Sequence, residues 1–486
     1  MKRKLKVLAL LPILLGTRVS CGGESTEEKT VTINRWHASG AGLQDEFQKL
    51  ADEFSVLVKK NEGVDVHINA GQDSYQGNYT DLHNKIVKSF STGDYPTIAV
   101  AYPDHVADYI AAERSDTGKY VVNRAELAND DKIGFGKEEY IGDGEASDFL
   151  PAFYDEGQHY TREGRYSLPV LKSTEVLFYN KDVVQTILSQ YNEDEKLGRN
   201  TDQLASFRDN LTFDRFRKFC RYIAKKIKEG AYEDKAGNTL QYPFYYDSDD
   251  NFFITQCYQR DIPYASIENG EGKIEFNNAE AKKRVTELKA DYDNNVFRTK
   301  GTNDNKYGSD LFTSQEVLFD IGSSGGTGYN VPSGDGFTVG VAKVPYSKNK
   351  PEYVTQGITC TLLKTPDDKN GRKVKYGWKF LKYLTSSAVN LNLALYSSRG
   401  YSPVRQSCYD TEEYLAYCEE GEALGEAQKV IKDQIKGQYL NTPCFKGSAK
   451  CREEVKGLMV QALTGTKSID QAFLDAENQT KLARQI

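Results

Sequence analysis

The stretch Tyr166-Ser167-Leu168-Pro169-Val170-Leu171-Lys172-Ser173-Thr174-Glu175-Val176-Leu177-Phe178-Tyr179-Asn180-Lys181 decides the fold. Up to Tyr179 it is strand-like on both sides of the polar centre Lys172-Ser173-Thr174. Upstream, Val31 to Trp36 is a strand. Leu43, Phe47, Leu50, Ala51, Phe54, Leu57 and Val58 follow at helical spacing. Val64 to Ala70 alternates as a second strand. Leu82, Ile86 and Phe90 mark a helix stopped by Gly93, and Thr97 to Ala101 is a short buried strand. This alternation of strand and helix predicts a parallel, doubly wound α/β sheet. Segment 115–165, rich in Gly, Asp and Glu, reads as surface loops with short helices.

Downstream, residues 190–210 are polar and read as exposed, and Phe213, Phe216, Phe219, Cys220, Ile223 and Ile227 form a helical stripe. Val317 to Ile321 is a strand running into Gly322-Ser323-Ser324-Gly325-Gly326-Thr327-Gly328. Val339 to Val344 and Ile358 to Leu363 are further strands. Trp378 to Leu395 reads as one long helix, and 409–486 as helical with Leu458, Val460 and Leu463 as core.

The N-terminus reads as a targeting segment. Lys2, Arg3, Lys4 and Lys6 precede the apolar run Val7 to Leu15, far shorter than the ~20 residues that cross a bilayer. Cys21, followed by Gly22, Gly23 and the polar run Glu24 to Thr30, resembles a bacterial lipoprotein site, where the cysteine is acylated. Arg18 stands where such sites usually carry Leu. Removing this segment leaves about 465 residues, too many for one core, so two lobes are expected. With 63 basic and 70 acidic residues there is no case for nucleic acid. Tyrosine (32) far outnumbers tryptophan (2), so any ring-stacking surface will be mostly tyrosine.

Eight cysteines in an exported chain invite disulfides. Cys408/Cys418 and Cys444/Cys451 are near enough in sequence to staple the C-terminal region, while Cys220 and Cys257 read as core. No Cys/His spacing suggests a metal, and no cofactor motif occurs. Gly322-x-Ser324-x-Gly326 after a strand matches a hydrolase nucleophile elbow, which needs a histidine later in the chain. His37, His67, His83, His105 and His159 all precede Ser324, so that order is excluded. Asp247-Ser248-Asp249-Asp250-Asn251 begins like an EF-hand loop, but Phe252 and Tyr258 occupy its Gly and Glu positions. It reads as a solvated acidic turn.

Several segments together resemble the family 1 extracellular solute-binding proteins, especially the glycerol-3-phosphate- and sugar-binding branch. They are Arg35-Trp36-His37, Tyr75 to Tyr79, Ser91 to Val100, Tyr166 to Lys181, Leu211 to Asp214, Phe319 to Gly328, and Arg399 to Arg405. The resemblance implies a two-lobed periplasmic-binding-protein fold with strands crossing between the lobes and ligand held in the cleft. It implies residues 1–20 as signal peptide and 21–29 as a tether lipid-anchored through Cys21. The N-terminal lobe is then 30–168 with 346–385, and the C-terminal lobe 169–345 with 386–486.

By the same resemblance, Trp36 and His37 lie at the first strand's end as wall and donor. Tyr79 falls on a cleft tyrosine, and Asp104 near a ligand-binding acid. Ser173 donates from the crossing strand, Ser323 and Ser324 donate from the other lobe, and Gly357 allows close backbone approach. Tyr401 falls on the GYxP tyrosine, and Tyr245 and Tyr246 are candidates for stacking. The branch's phosphate-binding arginine has no counterpart in Pro443-Cys444-Phe445-Lys446-Gly447-Ser448, where Lys446 offers only a point charge. The function so implied is capture of a sugar, polyol or glycerol-phosphate ligand for an ABC permease. The protein is expected to act outside the cytoplasm, as a membrane-anchored monomer and not an enzyme. A secreted carbohydrate-active enzyme and a structural surface lipoprotein are the alternatives.

Overall fold

The computed structural model describes residues 30–113, 119–196, 204–205, 208, 211–232, 240–334, 336–347, 351–397, 400–420, 422–435 and 438–485. Cys21, expected from the sequence to carry a lipid, and Arg18, like Arg399, lie outside the described residues.

The strands are β1 (Thr30–Trp36), β2 (Asp65–Asn69), β3 (Ile98–Val100), β4 (Leu168–Asn180), β5 (Tyr242–Tyr246), β6 (Ala265–Glu268), β7 (Glu271–Ile274), β8 (Phe297–Thr299), β9 (Val317–Ser323), β10 (Val339–Lys343), β11 (Glu352–Leu362) and β12 (Gln438–Leu440). The sheet order is β2-β1-β3-β11-β4-β9-β5-β8, with β10 added on β4 and β12 on β11. The β1–β2 and β1–β3 pairs are parallel, as are β5–β8 and β5–β9. β4 and β11 run antiparallel to their neighbours β3, β9 and β10 and to each other. Each lobe is thus an α/β unit, and β4 and β11 pass between them.

All 13 residues of β4 are buried, because both of its faces are covered. Its side chains divide among three apolar clusters. Leu168, Val170 and Leu171 pack in the first lobe. Beyond the crossing, Leu177 and Tyr179 face one cluster of the second lobe, while Val176 and Phe178 face another. That alternation is the two-residue period of a strand.

The helix Ala41–Glu62 buries Phe47, Leu50, Ala51, Phe54 and Val58 along one face and ends at Gly63, whose φ of 71° closes it. The expected single helix over Trp378 to Leu395 is broken. Arg372–Leu384 ends, Ser386 opens a second helix over Ser387–Asn392, and a wider turn covers Leu393–Ser397. The buried apolar residues between Leu391 and Cys418 pack in the first lobe's cluster, and Tyr353 and Val354 in the second lobe's. The packing therefore changes lobe later than the 385/386 boundary expected from sequence, and between Val354 and Ile358 along β11. Within 409–486 the expected helices are joined by β12, which pairs in parallel with the start of β11.

The seven described cysteines are free and buried, including Cys408, Cys418, Cys444 and Cys451, so the expected staples are absent among the described residues. These thiols behave as small apolar groups, and burial pushes Cys408 and Cys451 up to about 12. Among the described residues no helix is long and apolar enough to cross a membrane.

Candidate functional site

The crossing strands floor a cleft. Ser173 pairs with Gln356 and Lys172 with Gly357, with a register shift at Ile358/Thr359. Gly357 has a φ of 117°, and a Cβ there would lie 2.8 Å from the Lys172 Cα and 2.9 Å from the Ser173 N. Its absent side chain serves the close approach of β11 to β4. Lys172 is buried and donates to Glu156 at 2.6 Å.

Above this floor is a cavity of about 80 Å³, bounded by Tyr102 and Asp104 of the first lobe, Lys172 and Gln356 of the strands, and Asp250 and Arg452 of the second lobe. At ~30 Å³ per water it holds two or three waters, well below the ~300 Å³ usual for a small-molecule site.

Arg452 organises the second-lobe wall. The helix Ser448–Thr464 buries Cys451, Val455, Leu458, Met459, Ala462 and Leu463, and Arg452 lies at the border of that stripe. Its guanidinium donates to Asp250 at 2.8 Å and to the Asn251 amide oxygen at 2.5 Å, and lies 3.7 Å from Asp104 across the cleft. Burial alone would lower the Arg452 pKa, but the Asp250 and Asp104 carboxylates outweigh it and hold it raised. Asn251 in turn donates to Glu175 at 2.9 Å, and Tyr246 donates to the same carboxylate at 2.5 Å. Burial pushes Glu175 up to about 7 despite these donors. A second contact joins the lobes where the Gly447 N–H donates to Asp108 at 2.8 Å.

The acidic run read as a solvated turn is instead structured. Ser248 caps the helix Asp249–Tyr258, and Asp249 is buried, accepting from Thr299 and from the Gly301 N–H. Among the described residues no group of three or more His, Cys, Asp or Glu is placed to hold a metal.

An aromatic wall stands beside these charges. Tyr79 stacks on Tyr102 with centroids 4.2 Å apart and planes 15° off parallel. Tyr401 lies against the glycine-rich loop, where a Cβ on Gly325 would come within 2.8 Å of its ring. Its neighbour Ser402 pairs with Lys172, which fixes this turn to the floor. Burial raises the phenol pKa of Tyr79, with Tyr102 and Tyr401 adding to the shift.

Tyr79, Asp104 and Tyr401 therefore converge on the cleft region, and Ser173 is at its floor. Other expected residues are placed differently. His37 is fully buried, and both ring nitrogens are used: Nε2–H donates to Gly71 O at 2.8 Å and Nδ1 accepts from the Ser39 N–H at 3.2 Å. Burial, with the charge of Arg35, lowers its pKa to about 4, so it is a neutral structural group and not a cleft donor. Trp36 is half-buried with the Lys85 ammonium 4.4 Å above its ring.

Tyr246 is buried in the second lobe, stacked on Phe252 at 4.4 Å, so its ring is core and not a cleft surface. Tyr245 is likewise buried and donates to Lys306 O. Ser323 caps its own loop by accepting from the Gly325 N–H, and the fully buried Ser324 hydroxyl accepts from the Thr174 N–H at 3.3 Å. These two serines pin the loop to β4. Lys446 is exposed, and Arg452, six residues further on, supplies the cation expected from that region. The residues missed from sequence are Tyr102, Asp250, Gln356 and Arg452.

The profile of a family described as bacterial extracellular solute-binding protein matches residues 49–419, more than half of the chain. No curated protein matches. Among solved structures, the GacH receptor of Streptomyces glaucescens, solved unliganded and with acarbose, is 16% identical with a TM-score of 0.63. That alignment covers 94% of this chain and 99% of that one. Maltose-bound MalE3 of T. maritima is 16% identical (TM-score 0.62, covering 93% and 99%). UgpB of Mycobacterium tuberculosis, in complex with glycerophosphocholine, is 12% identical (TM-score 0.66, covering 93% and 98%). These likenesses show the fold: two lobes joined by crossing strands.

Proposed function

The chain belongs to the bacterial extracellular solute-binding proteins, and from that membership we propose that it captures a carbohydrate, polyol or glycerophosphodiester between its lobes for an ABC permease. The observation that carries this is the meeting of Arg452 and Asp250 from one lobe with Asp104 and Tyr102 from the other, over a floor of crossing strands. Carboxylates and amides accept sugar hydroxyls, guanidinium N–H groups donate to them, and tyrosine faces stack on the apolar face of a ring.

Arg452 is held by two carboxylates, so its charge is largely balanced before any ligand arrives. That balance favours a neutral or zwitterionic solute over a phosphate monoester. Ligand contacts to both lobes would shift an open–closed equilibrium by their differential affinity for the closed form. We further propose that the protein works outside the cytoplasm as a monomer, tethered by a lipid on Cys21, and turns over no substrate.

Thermal unfolding of the purified chain against sugars, polyols, glycerol-3-phosphate and glycerophosphodiesters tests the proposal. A ligand at ~100 times its Kd stabilises by ~2.7 kcal/mol. A hit recovered intact supports a receptor. A hit consumed during incubation makes the protein an enzyme, and no hit across the panel removes this ligand class.

A further inference from the structure

The helix Ser448–Thr464, which carries Arg452 to the cleft, opens without a cap of its own. Gly447 stands at the cap position with a φ of 88° and has no side chain to accept from the first turn. A Cβ there would also come within 2.7 Å of the Arg484 side chain. Three residues on, where a capping box places Glu or Gln to accept from the cap N–H, the chain has Lys450. The Ser448 hydroxyl is spent on the Phe445 N–H, outside the helix. No acid lies in the first turn, and Lys446, Lys450 and Arg452 stand at a helix end whose dipole is already positive.

The first lobe supplies both missing elements. On its helix Pro103–Ala111, Asp104 and Asp108 are four residues apart and so share one face. Asp108 Oδ1 accepts from the Gly447 N–H at 2.8 Å, the role an acid at 450 would have had. Asp104 Oδ2 lies 3.7 Å from Arg452, further along the same helix. Asp108 is steadied on its own lobe by His83 of the helix Tyr79–Ser89, whose Nε2 is 3.2 Å from the second carboxylate oxygen. The Cys444 N–H donates to His159 O at 3.0 Å, which ties the segment before Gly447 to the first lobe as well. Asp108 is not among the residues that line the cavity.

We propose that Asp108 is a positioning residue for solute capture: it caps the second lobe's helix from the first lobe, and so draws a fraction of the molecules closed before solute arrives. Its part in capture rests on the reading that solute binds between the lobes. A helix cap is worth ~1 kcal/mol, which shifts an open–closed ratio about fivefold. Solute then meets Arg452 and Asp104 near their closed spacing, and apparent affinity rises with the fraction already closed. Opening gives the Gly447 N–H to water instead of leaving it unpaired, so the cap biases closure without locking it.

Small-angle X-ray scattering of the ligand-free chain tests this, with circular dichroism confirming that each variant is folded. Asp108→Ala should move the open–closed ratio about fivefold toward open and raise the radius of gyration above wild type. Lys450→Gln leaves Asp108 in place but gives the helix its own acceptor for the Gly447 N–H, and should also raise the radius. An unchanged or smaller radius in folded Asp108→Ala would overturn the proposal. A rise in Asp108→Ala with none in Lys450→Gln would assign the effect to the contact with His83 and overturn the capping role. No solute enters the experiment, so its failure leaves the proposed solute class standing, and failure of the solute panel leaves this result standing.

Discussion

The first lobe buries one cluster of charges and the interlobe cleft holds another, and they differ in what they join. In the first lobe, Lys379 meets Glu62 at 2.5 Å and also Glu138, while Lys382 meets Glu138 at 2.9 Å and Asp143 at 3.6 Å. All five residues belong to one lobe, so these pairs persist whether the cleft is open or shut. In the cleft, Arg452 joins Asp250 and Asn251 on its own side to Asp104 on the other. The first cluster lies within one lobe and the second spans two, so under the proposed function closure of the cleft would alter only the second.

The sharpest way to break this comparison is Lys382→Met. Glu138 and Asp143 would be left with less compensation in a buried site, costing roughly 3–5 kcal/mol. Chemical denaturation should show that loss while affinity for the solute stays at the wild-type value. Loss of affinity in step with stability would mean that the two clusters are not separate in role.

Arg452→Gln is the converse. Removing the cation from a bridging pair should weaken solute binding about 100-fold, ~2–3 kcal/mol, by calorimetry. The unfolding midpoint without ligand should move little. Tyr102→Ala should act less, by roughly tenfold, the value of one stacked ring. Its effect should be confined to ligands that carry a sugar ring.

Glu175 gives an effect tied to pH. Its folded pKa is pushed up to about 7, whereas an unfolded glutamate titrates near ~4.3. The folded state therefore binds the proton more tightly. There is no penalty below the unfolded value, and stability falls as pH rises through the window up to about 7. Glu175→Gln should flatten that fall, gaining stability over wild type at pH 8 but not at pH 4, as read from denaturant midpoints.

How much of this was legible in the sequence follows from which forces are local. The stripe Phe47, Leu50, Ala51, Phe54, Val58 and the run 166–179 carry their period within one element, so helix and strand were readable directly. β12 was not, because three residues have no period and the strand exists only through its pairing with β11. The cysteine pairs failed for a related reason. Proximity in sequence says nothing of side-chain direction, and these thiols point into apolar cores.

Tyr79, Asp104 and Tyr401 could be placed near the cleft from sequence because each sits in a turn or helix start that resembles the family, while their contact with solute stays a proposal. Arg452 was missed because it lies inside a helix beyond the segment where a cation was sought. Asp250 was hidden in a run of acids whose burial only the fold decides. His37 and Tyr246 show the reverse error. Both are polar groups beside a cleft-forming segment, but their hydrogen bonds are already satisfied inside a lobe.

The most direct test of the central claim, that solute binds between the lobes and draws them together, is small-angle X-ray scattering with and without the ligand found by thermal unfolding. The radius of gyration should fall on saturation in wild type and stay at its ligand-free value in Arg452→Gln at the same concentration. Full binding by wild type with unchanged scattering would put the solute outside the interlobe cleft and contradict the account.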